Sequence, residues 1–97
     1  MTKLTQRDLQ IALANQYIRL GIGNAWNDQN EDMETARKIM KKHNITLEDF
    51  HTVCGGSENT QRIHNMEKNA LLQGNKFIAC IHGWFYVMDY DMNITGF

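Results

Sequence analysis

Residues 76–90, which read KFIACIHGWFYVMDY, constrain the fold more than any other part of the chain. β-branched and aromatic residues dominate on both sides of His82 and Gly83, a pair similar to the Asn-Gly dipeptides of two-residue hairpin turns. The pattern predicts two antiparallel strands in which Ile81 lies opposite Trp84. Alternate strand residues point to opposite faces, and both faces of this hairpin are apolar. Helices can cover one face, and the other needs a second cover.

Upstream of this hairpin the apolar residues recur at three- and four-residue spacing, which is typical of amphipathic helices. The spacing predicts four short helices, and the sequence ITGF after the turn DMN predicts a third strand. The expected fold class is therefore α+β, with about four short helices followed by a C-terminal three-stranded antiparallel β-meander. The 97 residues fit a single domain, with a helical part at 1–75 and the β-meander at 76–97.

Capping residues predict where several helices begin and end. Thr5 can cap the first helix together with Asp8, and Thr46 and Asp49 form a similar pair before the third helix. Asn44 fits the left-handed position that ends the second helix, because asparagine tolerates that conformation better than most residues. These signals divide the helical part into separate segments.

The first helix is predicted to be amphipathic, with one buried stripe. The sequence GIG at 21–23 is expected to end it, because glycine adopts the left-handed conformation of helix C-termini without a steric penalty. The polar run NAWNDQN at 24–30 is expected to form a loop. The stripe consists of Leu9, Ala12, Leu13, Tyr17 and Leu20.

Residues 33–50, METARKIMKKHNITLEDF, resemble the helical core of the domain-of-unknown-function family numbered 2786. Members of that family show an alanine-rich helix that ends in a Leu/Met-Met-x-Lys-His-like run, then a small turn, an Ile or Leu, and a capped acidic helix. The matching positions are Ala36, Ile39, Met40, Lys42, His43, Ile45 and Asp49. The first helix departs from the family's basic, leucine-rich pattern. The family's function is unknown, so the resemblance implies only a setting, that of a bacterial, phage or mobile-element accessory protein.

The charge balance argues against two classes of protein. Ten basic and eleven acidic residues leave a net charge of −1, which is too balanced for a DNA mimic and too weak for a strong non-specific nucleic-acid binder. Two cysteines and an N-terminus without an apolar leader indicate a reducing compartment. No apolar run is long enough to span a bilayer. The expected location is the cytoplasm of a bacterial host cell, with no membrane partner.

His51, Cys54, Cys80 and His82 raise the question of a zinc site, because they stand in an H-x-x-C and a C-x-H arrangement. Two thiolates and two imidazoles can complete a tetrahedral zinc site. The spacing is not that of a known zinc knuckle, and free cysteine also packs well as a small buried residue. We favour the packing role and assign no metal ligand or cofactor. No nucleophile with an oriented base is recognisable, so the chain is not expected to be an enzyme.

Two sets of side chains are candidates for contact with a partner. The first shares a face of the predicted hairpin and belongs to residue types enriched in protein interfaces. Its members are Trp84, Tyr86, Met88 and Tyr90. The second is a basic cluster at the end of the second helix, which can contact phosphates or can simply complement the helix dipole. Its members are Arg37, Lys38, Lys41 and Lys42.

The expected function is that of a small non-enzymatic protein-interaction module. It would be a phage or mobile-element accessory protein that binds a host protein or complex and inhibits or modulates it, for example a defence system in the manner of an anti-CRISPR protein. The aromatic face would bind that partner or pair in a homodimer. The alternative is a nucleic-acid-binding regulator that uses the basic end of the second helix.

Overall fold

The computed structural model describes residues 4–23, 30–70, 72 and 74–96. It confirms the α+β class, because helices precede strands throughout the described chain. The helices are α1 (Gln6–Gly23), α2 (Glu31–His43), α3 (Leu47–Cys54) and α4 (Ser57–Ala70), and the strands are β1 (Lys76–Ile81), β2 (Trp84–Asp89) and β3 (Ile94–Gly96). Most of the loop expected at 24–30, including Trp26, lies outside the described residues.

The strands form the predicted meander, an antiparallel sheet in the order β1-β2-β3. The predicted cross-strand pairs form, beginning with Ile81 opposite Trp84 at the turn. His82 and Gly83 have φ angles of 51° and 84°, the positive values that a two-residue turn needs to match the twist of its strands. The sequence therefore predicts both the strand pairing and the turn correctly.

The predicted helix caps are also confirmed. The backbone N–H of Thr5 donates to Asp8 Oδ2, and the N–H of Asp8 donates to Thr5 Oγ1, both at 3.1 Å. Thr46 and Asp49 make the same reciprocal pair at the start of α3. Asn44 ends α2 in the left-handed conformation with a φ of 53°. Each cap satisfies backbone groups that a helix end leaves without a partner.

Helices cover both faces of β1. On one face, α1 and α3 pack against Phe77, Ala79 and Ile81. On the other face, α4 packs against Ile78 and Cys80. The second cover that the apolar hairpin needs is therefore supplied, at β1, by the chain's own fourth helix.

α1 differs from the one-sided amphipathic helix that its spacing predicts. Four consecutive residues, Ile11–Ala14, are buried, although the predicted stripe includes only two of them. The reason is position, because α1 packs against α2 as well as against α3 and β1. A helix enclosed on several sides loses the one-sided pattern.

As predicted, α1 ends within the GIG segment, at Gly23, and Gly21 lies inside the helix. A Cβ atom on Gly21 would lie 2.3 Å from Met33 Cγ, so glycine at this position allows α2 to approach α1 closely. Asn30 strengthens the same contact, since its Nδ2 donates to the carbonyl of Gly21 at 2.6 Å. No described helix is long and apolar enough to cross a membrane.

Candidate functional site

The predicted aromatic face divides into a covered part and an exposed tip. Met88 is fully buried, with 0% exposure, and belongs to the core beneath α1 and α3. Tyr86 and Tyr90 are partly buried and pack against the same core. Trp84 is the exception, with 68% of its surface exposed. Met88 is therefore a core residue rather than a partner-binding residue, and Trp84 is the most exposed of the four.

The turn that carries Trp84 is fastened to two helices. The backbone N–H of His82 donates to the carbonyl of Val53, near the end of α3, at 2.8 Å. His82 Nε2 lies 3.2 Å from Asp8 Oδ1, in the first turn of α1. These contacts join the hairpin to segments that are 29 and 74 residues away in the chain. The hairpin tip is thus held by two contacts, both made by His82.

Asp8 connects the cap of α1 with the hairpin. Its side chain is only 12% exposed, and it accepts hydrogen bonds from Thr5 as well as contacting His82. Burial by itself would raise the pKa of the Asp8 carboxyl, but the hydrogen bonds from Thr5 and the contact with His82 outweigh burial and lower that pKa. Asp8 is therefore a carboxylate that stabilises the turn beneath Trp84.

The two thiols of the predicted quartet are buried, at 4% exposure for Cys54 and 2% for Cys80. Burial raises the pKa of the Cys54 thiol to about 12, and burial also raises that of Cys80. They belong to different apolar clusters, Cys54 with α1 and α3 and Cys80 with α4. His51 is exposed, while His82 contacts Asp8. A protonated thiol is a poor nucleophile and a poor metal ligand, and within the described ranges no three His, Cys, Asp or Glu residues are grouped to hold a metal.

Asn59 explains how the end of α3 is joined to the sheet. Its Nδ2 donates to the carbonyl of Cys54 at 3.2 Å and lies 3.6 Å from Cys80 Sγ. Gly55 has a φ of 81°, and a Cβ there would lie 2.0 Å from that same nitrogen. The glycine that ends α3 therefore also makes room for Asn59. The two cysteines act here as packing residues on either side of β1.

A partly buried polar network links α1, α4 and the sheet. Arg19 Nη2 donates to Glu67 Oε1 at 2.8 Å and also to Gln16. Glu67 Oε1 accepts the backbone N–H of Ile78 at 3.2 Å, and Gln16 Nε2 donates to the Tyr90 hydroxyl at 3.1 Å. The network thus gives the N–H of Ile78 on β1 a hydrogen-bond partner and orients the hydroxyl of Tyr90. It borders a cleft of about 410 Å³ between α1 and α4, in which Arg19 and Glu67 neutralise each other.

The basic cluster on α2 is exposed. Lys38 Nζ lies 3.7 Å from Glu34 Oε1, one turn earlier on the same helix. Among the residues that the structure describes, Arg37, Lys41 and Lys42 form no ion pair. The cluster therefore divides into one paired cation and three that face solvent.

No protein-family model, no curated protein and no solved structure matches the chain. The resemblance of residues 33–50 to the family numbered 2786 stays a prediction. Function is therefore argued from the two exposed regions themselves, the hairpin tip with Trp84 and the basic end of α2.

Sequence reasoning missed the residues that support the hairpin tip. Asp8 forms a capping pair with Thr5, and that pair is enough to explain an aspartate at this position of α1. His82 fits its turn position because histidine, like asparagine, tolerates a positive φ. Neither local signal indicates that the two side chains meet, because 74 residues separate them. Arg19 and Glu67, 48 residues apart, were missed for the same reason.

Proposed function

We propose that the protein is a small non-enzymatic protein-interaction module whose contact surface is centred on Trp84. The observation that carries the proposal is the 68% exposure of this ring on a turn fastened to α1 and α3. Tryptophan is enriched among the residues that dominate binding energy in protein interfaces. A side chain on a fixed support loses less conformational entropy on binding than one on a mobile loop. The partner would be a protein with an apolar pocket that accepts an indole ring.

The chemistry of the site supports binding rather than catalysis. The Cys54 and Cys80 thiols have raised pKa values and are buried, so neither is prepared to act as a nucleophile. The contact of His82 with Asp8 positions the turn. This contact joins α1 to the hairpin and lies outside the cleft between α1 and α4.

The setting that we propose follows the resemblance of residues 33–50. It is a phage or mobile-element accessory protein that acts in the cytoplasm of a bacterial cell and inhibits or modulates a host protein complex. The small size and the near-neutral charge support a compact inhibitor better than a polyanion mimic. Pairing through Trp84 in a homodimer is the competing use of the same surface.

The test is capture of a partner from a bacterial lysate, followed by affinity measurements with purified components. Trp84→Ala should weaken binding about 30-fold, which corresponds to the roughly 2 kcal/mol expected of a dominant interface residue. Leu47→Ala is the matched control, because Leu47 is 75% exposed on α3 and is not part of the hairpin. Light scattering across a range of protein concentrations tests the homodimer. Equal binding by Trp84→Ala and the wild type would contradict the proposal.

A further inference from the structure

The charges of α2 are divided along its length. Acidic side chains occupy its first turn and basic side chains its last, an arrangement that complements the helix dipole. The dipole does not account for the whole cluster, however, because Arg7 of α1 already serves the C-terminal carbonyls. Its guanidinium donates to the carbonyl of His43 at 2.5 Å and to that of Asn44 at 3.0 Å. The remaining cations are therefore additional to what this helix end requires.

The spacing of these cations is unfavourable for an isolated helix. Arg37 and Lys41 are four residues apart, as are Lys38 and Lys42, so each pair places like charges on neighbouring turns. Glu34 offsets only Lys38. Asp49, in the first turn of α3, is bound by Arg7 at 3.2 Å and by Thr46. The end of α2 thus presents a local excess of positive charge on a chain whose net charge is −1.

Arg37 and Lys41 also border a surface groove of about 460 Å³. The groove runs between the end of α2 and the start of α3. Its lining consists of Arg37, Met40, Lys41, Asn44, Ile45 and Thr46. Two cations one turn apart therefore stand beside an apolar floor, formed by Met40 and Ile45, and beside polar groups on Asn44 and Thr46.

We propose that this groove, together with Lys42, binds the phosphodiester backbone of a nucleic acid. Arg37 and Lys41 lie one turn apart along the helix, with Lys42 next to Lys41, and cations spaced in this way match a linear polymer that carries anions at regular intervals. Phosphate contacts of this kind are electrostatic and independent of base sequence. The groove contains no hairpin residue, so the inference goes beyond the proposed protein contact and does not depend on it.

The test is fluorescence anisotropy with labelled single-stranded DNA, single-stranded RNA and duplex DNA across a salt titration. About three phosphate contacts predict a slope of about −3 for log K against log salt on duplex DNA. Arg37→Glu with Lys41→Glu should reduce that slope to about −1, because two of the three contacts are lost. Comparison of the three nucleic acids shows which form the groove prefers.

The matched control is Arg62→Glu with Lys68→Glu on α4. It changes the net charge by the same amount at two exposed positions that lie outside the groove. Arg37→Gln with Lys41→Gln removes the two charges but places a good helix former at both positions. Loss of binding in this variant would therefore not be caused by unfolding of α2. Binding lost in both groove variants but kept in the control supports the proposal. Absence of binding at low salt, equal loss in the control, or equally effective competition by polyglutamate would overturn it.

Discussion

The hairpin tip and the basic end of α2 are both exposed, but they are built in different ways. The tip carries a single large apolar side chain, Trp84, on a turn held by contacts to α1 and α3. The end of α2 carries several long cationic side chains, and its backbone is completed by the local cap at Asn44 and by the guanidinium of Arg7 from α1. A fixed apolar group favours one complementary pocket, whereas flexible cations favour weak, salt-sensitive contacts. The difference indicates that the two regions serve different kinds of partner.

Loss of the contacts that support the hairpin should have the largest effect on the free energy of unfolding. Asp8→Ala removes the side-chain half of the capping pair of α1 and leaves His82 without its partner, so the free energy of unfolding should fall by about 2 kcal/mol. Chemical denaturation measures the change. Asp49→Ala is the comparison, since Asp49 occupies the equivalent capping position of α3 and contacts Arg7 where Asp8 contacts His82. A loss no larger than that of Asp49→Ala would mean that the contact with His82 contributes no more than this surface ion pair.

His82→Asn separates the turn from its side-chain contact. Asparagine also tolerates a positive φ, so the turn should persist while the contact with Asp8 is lost. We expect a loss of roughly 1 kcal/mol, the usual contribution of one hydrogen bond. Amide hydrogen exchange at the turn should then be faster in the variant than in the wild type, and the increase should be larger at the turn than at the core of β1. Unchanged exchange at residues 82–84 would show that the turn holds without this contact.

The pH dependence of stability tests the same contact without changing the turn. The pKa of Asp8 is lowered from its ordinary value of 3.8 in the folded protein. Its carboxylate therefore contributes stability above the unfolded pKa, and that contribution is lost as the pH falls through the lower folded pKa. The difference in unfolding free energy between the wild type and Asp8→Asn should shrink as the pH falls below about 4. A difference that stays constant from pH 6 to about 2 would contradict an ionised Asp8.

The smallest expected effects concern α2. Arg37→Gln relieves a like-charge pair with Lys41, so it should leave stability unchanged or raise it by about 0.2–0.5 kcal/mol. Lys38→Gln removes the contact with Glu34 and should lower stability slightly. Thermal unfolding of the two variants side by side tests the contrast. If Arg37→Gln destabilises as much as Lys38→Gln, then Arg37 serves the helix rather than a ligand.

The parts of this fold that the sequence predicts depend on residues close together in the chain. The pairs Thr5 with Asp8 and Thr46 with Asp49 are three residues apart, and the turn at His82 and Gly83 sets the strand register by itself. Alternation also showed which β2 residues share a face. It could not show that the helices cover Met88 and leave Trp84 exposed, because that depends on where α1 and α3 lie.

The remaining features arise from contacts between distant segments. The long buried stretch of α1 follows from its position between α2 and the sheet, which its own spacing does not encode. The cover that α4 provides and the Arg19 to Glu67 pair likewise join elements far apart in the chain. Candidate sites were therefore predicted as sets of residue types, and the structure was needed to separate buried members such as Met88 from exposed ones such as Trp84.

The fluorescence of Trp84 with and without the captured partner tests directly whether this side chain is the contact residue. The chain has two tryptophans, so Trp26→Phe leaves Trp84 as the single reporter. In the free protein we expect emission typical of a water-exposed indole and efficient quenching by iodide. Partner binding should shift the emission to shorter wavelengths and protect the ring from iodide. Emission and quenching that stay the same in the bound state would contradict the assignment of Trp84 as the contact residue.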